Sequence, residues 1–205
     1  MKATFDSNGI VITQYPFPPA SIYPHGRIEC SAIRDVDPAS GPLEIRTRNG
    51  ETLFVSAEQG DAFHDWITKS QLPIVRRVDT WHLILEPFLD TEFTPEQQEQ
   101  TLVALRDIGI PRTDVMRIRG SVGSAMLAYN VFLWDWVHLG LFDVLTATRR
   151  GLSWLSISNR LFRNRYSDFY WSAMELADRG RNVIAEMATE QCGQPEPPLT
   201  RDSES

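Results

Sequence analysis

Residues 113–148 read TDVMRIRGSVGSAMLAYNVFLWDWVHLGLFDVLTAT, the most apolar stretch of the chain, with Asn130, Asp135, His138 and Asp143 set inside it. On a helical wheel its apolar residues fall on nearly every side, so a helix here is buried over most of its surface and the rest of the chain packs around it. The window 125–142 is about long enough to span a bilayer. Asp135 and His138 near its middle would be costly in lipid, so it reads as a core helix, broken near Gly140, and no transmembrane segment is predicted. A helix this apolar also leaves room for a homodimer.

Working outward, 153–159 and 160–178 read as one or two more helices, with Leu161, Phe162, Phe169, Trp171 and Met174 as buried positions and an extension over 183–187. From 193 to 205 the chain is proline-rich and polar and reads as a disordered tail. Upstream, Asp79 or Thr80 caps a helix through Trp81, Leu83, Ile84 and Leu85, which Pro87 ends or kinks. Thr94, Pro95 and Gln97 form a helix start signal. That helix carries Leu102, Val103 and Leu105 and stops at Gly109.

Residues 1 to about 57 read as strands. Arg27 to Ile33 alternates polar and apolar residues, the period of a half-buried strand, and puts Cys30 inward. Leu43–Arg48 and Glu51–Val55 flank Asn49-Gly50, a two-residue hairpin turn in which both positions tolerate positive φ. Asn8-Gly9 is a second tight-turn signal. A helix over 57–70 presents Phe63, Trp66 and Ile67 on one face.

This order, short strands closed by an amphipathic helix containing Phe63, His64, Asp65, Trp66 and Ile67, resembles bacterial PH-like modules over residues 5–72. The resemblance implies a binding or scaffold domain. The expected fold class is α+β: a β-rich, PH-like module closed by a helix (1–72), a mainly helical region of four or five helices (73–192), and the tail (193–205). The link from Leu72 to Asp79 is short and apolar, so the two halves should share an interface.

The chain has 205 residues, 42% hydrophobic and 23% charged, as an ordinary globular protein has. Its net charge of -7 argues against a protein devoted to coating nucleic acid, though not against a local basic site. The two cysteines, Cys30 and Cys192, make no disulfide framework or zinc cluster, and the N-terminal residues carry no apolar signal region. The expected location is cytoplasmic.

Three sets of residues could carry chemistry. His82 and Glu86 (i,i+4) share one helix face, and Asp135 and His138 (i,i+3) share another. On facing helices the four could bind a divalent metal or act as acid and base across a pocket. The competing reading is a core histidine, a paired carboxylate and solvated partners. No other cofactor is predicted. Next, Arg117, Arg119, Gly120, Ser121, Gly123 and Ser124 could cradle an anion at a helix end. They lack the P-loop lysine, and small residues at this spacing also let a neighbouring helix approach closely.

Finally, Arg149, Arg150, Arg160, Arg163 and Arg165 form a basic run with Trp154, Phe162 and Tyr166 interleaved. Such a run suits a nucleic-acid backbone, anionic lipid or an acidic partner. Internal pairing with Glu86, Asp90, Glu92, Glu96 and Glu99 is its simplest alternative. With no nucleophile motif present, the sequence leans toward a non-enzymatic interaction or scaffold protein. Its contact surface would be 149–171, and a protein partner or acidic surface ranks above nucleic acid. The alternatives are a small metal-dependent or acid–base enzyme using the His/Glu/Asp set, and nucleic-acid or anionic-partner binding through the basic run at 149–165.

Overall fold

The computed structural model describes residues 1–89, 94–132, 139–155 and 159–180, and places the side chains of these except 127–132, 152–155 and 159–163. It is an α+β fold, as expected. Two antiparallel three-stranded sheets come first: β1 (Lys2–Phe5), β2 (Gly9–Thr13) and β3 (His25–Glu29), then β4 (Ile33–Asp37), β5 (Leu43–Thr47) and β6 (Thr52–Val55). Helices follow: α1 (Gly60–Ser70), α2 (Thr80–Leu85), α3 (Pro95–Asp107), α4 (Arg112–Phe132), α5 (Leu141–Leu155) and α6 (Asn159–Arg179). No described helix is long and apolar enough to cross a membrane.

The single strand expected over 27–33 is instead two strands separated by a 3-10 turn at Cys30–Ala32, which leaves Cys30 half-buried in the turn. The β5–β6 hairpin also differs from its sequence reading. Arg46 pairs with Thr52, and the Thr47 N–H donates to the Glu51 carbonyl, so the loop has three residues. Gly50 alone takes a positive φ, +86°, as three-residue hairpins require at their last position. At Gly9 the constraint is space rather than dihedral, since a Cβ there would overlap the Ile28 carbonyl of β3.

The helix signals act locally and hold. Asp79 caps α2, accepting the His82 N–H at 2.9 Å. Thr94 and Gln97 close a reciprocal capping box on α3, and Gly109 turns the chain after it with φ +80°. On α1, Phe63, Trp66 and Ile67 are the buried face.

The sheets and helices share one apolar core. Phe17 and Phe54 meet Phe142 of α5 edge-on at 5.4 and 5.2 Å, and Trp81 donates its indole N–H to the Ala173 carbonyl of α6. The link after α1 runs beside β4: the Val36 N–H donates to the Pro73 carbonyl, and the Val75 N–H to the Val36 carbonyl. Trp171, expected in the core, is 39% exposed, while Met174 one turn on is buried.

A buried polar hub stitches the halves together. The Glu51 carboxylate is fully buried and accepts the Ser21 N–H at 3.0 Å, the Ser21 hydroxyl at 2.5 Å and the Tyr170 hydroxyl of α6 at 2.9 Å. Burial pushes the Tyr170 phenol far above its usual range, with Tyr15 and Glu51 adding to the effect.

Candidate binding cleft

Strand β4 carries Asp35 and Asp37, and β5 carries Glu44 and Arg46. Period two puts all four on one face of the sheet, in two cross-strand rows: Asp35 opposite Arg46, and Asp37 opposite Glu44. β6 continues the rows with Thr52 and Phe54. All six residues are buried. A face this polar is tolerated inside a protein only if its charges are paired.

Arg46 is the centre of that pairing. Its Nε lies 2.5 Å from Asp35 Oδ1, a close ion pair without hydrogen-bond alignment, and its other nitrogens lie 3.8 Å from Glu44 and 3.9 Å from Asp37. It also donates to the Val75 carbonyl of the link. Burial, then the neighbouring Arg77, depress its pKa, and the three carboxylates oppose that. Arg77 reaches from the link to both Glu44 oxygens at 2.9 and 3.0 Å. Arg34 binds Asp35 at 2.8 Å and forks onto Asp178 of α6 at 2.5 and 3.0 Å.

Beside the Asp37–Glu44 row the structure opens into a cleft of about 550 Å³. Its walls are the β4–β5 loop with Ala39, Gly41 and Pro42, the link with Arg76, Arg77 and Asp79, and the start of α5 with Leu141 and Phe142. Volumes of this order suit a small molecule, and seams between structural units are where such sites form. At the α5 end the Gly140 N–H is held by Asp143 at 2.9 Å.

Glu44 is the titrating group of the cleft. Burial raises its pKa first, and Asp79 adds to this, while Arg77 and Arg46 oppose. A raised carboxyl binds its proton more tightly folded than unfolded. Its stabilising contribution is therefore complete at low pH and lost as pH rises through the folded pKa. The stability advantage of the native protein over Glu44→Gln should accordingly shrink as pH rises above the ordinary carboxylate range, as measured by urea unfolding at each pH. An advantage that grows with that rise would contradict this assignment.

The residues singled out from sequence do not gather at this cleft. His82 is half-buried on α2, and Glu86 follows it on a 3-10 turn, accepting the Thr101 hydroxyl at 2.5 Å. Asp135 and His138 lie outside the described residues. Among the described residues no group of three His, Cys, Asp or Glu is placed to hold a metal ion. Arg119 is buried and donates to the Ile84 and Leu83 carbonyls at 2.9 and 3.2 Å, so it caps the C-terminus of α2. Gly123 faces the Phe88 ring, as close approach by a neighbour requires, whereas Gly120 faces open space.

In the basic run, Arg149, Arg150 and Arg165 are exposed, and the side chains of Arg160 and Arg163 lie outside the described ones. Tyr166 is buried, its hydroxyl donating to the Leu145 carbonyl at 3.1 Å. Its ring fills the α5–α6 seam and so offers no surface to a partner. Cleft residues Asp37, Glu44 and Arg77 escaped the sequence reading. A strand bearing Asp, Glu and Arg on one face looks the same whether that face meets solvent or a charge-paired interior, and Arg76-Arg77 beside it was the one available hint. Comparison with protein-family models, with curated proteins and with solved structures returns no match, so the cleft's own side chains carry the functional argument.

Proposed function

We propose that this is a non-catalytic binding protein whose ligand, a small molecule, sits in the cleft between the β4–β5 loop and α5. The observation that carries the reading is the convergence of charged side chains from two strands and the link on one hollow of small-molecule size, with an apolar wall opposite. These charges are tied in place: Glu44 by Arg77, Asp37 by the Ala39 N–H at 3.0 Å, and Asp79 by the His82 N–H. Fixed charges against an apolar wall suit recognition, since they orient a ligand without reorganising.

Blocking the cleft tests the proposal. Gly41 lies on its wall, has an ordinary φ and has nothing within 4 Å of where a Cβ would sit, so Gly41→Trp fills the hollow without disturbing the core. In a fragment screen read by thermal unfolding, compounds that stabilise the native protein should lose that effect in Gly41→Trp. A ligand at a hundred times its Kd stabilises by about 2.7 kcal/mol, well within detection. Fragments that stabilise both proteins equally would place binding elsewhere.

A further inference from the structure

We propose that the ligand of this cleft carries a cationic nitrogen, an ammonium or guanidinium group, on an apolar or aromatic body, and that Asp37 receives the charge. The inference rests on the cleft being the ligand site.

The buried sheet face is short of one positive charge. With Glu44 ionised, Asp35, Asp37, Glu44, Asp79 and Asp178 carry five negative charges against the four positive charges of Arg34, Arg46, Arg76 and Arg77. Asp37 and Glu44 are directly opposite partners across β4 and β5, where like charges repel. Of the three carboxylates, two have their charge matched by close guanidiniums, Asp35 at 2.5 and 2.8 Å and Glu44 at 2.9 Å.

Asp37 is the exception. Its side chain is only 9% exposed. Oδ1 takes the Ala39 N–H, and Oδ2 lies 3.9 Å from Arg46, beyond hydrogen-bond reach. A carboxylate oxygen with spare acceptor capacity on the wall of an open cleft is the position an N–H cation would satisfy, with a charge-assisted bond.

The rest of the wall indicates what the cation is attached to. Phe54, Leu141 and Phe142 are apolar and sit beside the Asp37–Glu44 row. Asp37, Glu44 and Asp79 line the cleft, but among the described residues no three His, Cys, Asp or Glu are placed to hold a metal ion, so an organic cation suits the cleft better. Arg76 is exposed on the rim, and among the described residues it has no ion-pair partner. It therefore repels an arriving cation and can be removed without cost to the fold.

Calorimetric titration with benzamidine, benzoate and benzyl alcohol, matched aromatic probes of positive, negative and zero charge, tests this. Benzamidine should bind at least tenfold more tightly than the other two. Asp37→Asn, which keeps an oxygen for the Ala39 N–H, should weaken benzamidine about tenfold without lowering the melting temperature much. Arg76→Gln should strengthen it about twofold. If benzyl alcohol binds as well as benzamidine and Asp37→Asn changes nothing, the cation assignment fails while the cleft stands. If no probe binds, or Gly41→Trp binds benzamidine as the native protein does, the cleft reading fails with it.

Discussion

Replacing Arg46 by methionine is expected to cost about 3–5 kcal/mol, the cost of breaking a buried ion pair from one side. Methionine is shorter than arginine but of similar volume, so the loss is mainly electrostatic. Asp35 keeps Arg34, but Asp37 and Glu44 lose their shared cation, and the Val75 carbonyl loses its donor. For a chain of this size the melting temperature should fall by roughly 10 °C. Adding Asp35→Asn should recover part of the loss, because Asp35, the carboxylate nearest Arg46, then no longer carries a charge that Arg46 would have balanced. Strict additivity of the two substitutions in urea unfolding would show that the two groups do not interact, and the description of Arg46 as the centre of the network would fail.

The second large effect is expected at Glu51. Glu51→Ala removes the acceptor of three hydrogen bonds from inside the fold and takes from the buried Tyr170 hydroxyl its carboxylate acceptor. Hydrogen bonds to a charged group contribute about 1.5–3 kcal/mol each, part of which water restores at the exposed Ser21, so a loss of about 3–4 kcal/mol is expected. Tyr170→Phe removes one of the three bonds and should cost about 1.5 kcal/mol. A Tyr170→Phe protein as unstable as Glu51→Ala would mean that the phenol, not the carboxylate, organises this seam.

Both predictions concern groups whose importance is invisible along the chain. The elements that could be read from sequence are those specified within a few residues: the Thr94–Gln97 box, the Asp79 cap, the Phe63, Trp66 and Ile67 face of α1, and the stop at Gly109. The Asn49-Gly50 turn was legible as a turn but not in its loop length, which depends on Thr47 and Glu51 pairing outside the dipeptide. Trp171 and Met174 are both large and apolar on one helix, and only the position of the β5–β6 hairpin decides that Met174 is covered and Trp171 is not. The cleft is the extreme case. It joins residues from the 30s and 40s with others in the 70s and 140s, and no local pattern records that meeting.

Arg34 and Asp178 are 144 residues apart, and beyond them the Val78 N–H is held by the Gly180 carbonyl. During synthesis, then, the strand bearing Asp35 leaves the ribosome long before the helix that shields it exists. The sheet's charges can pair among residues 34–77 as soon as the link is made, but Arg34 must wait in water for Asp178, where an exposed guanidinium costs little. A charge that costs stability once buried thus costs the unfinished chain little, and the contact that closes this seam is among the last the chain can form.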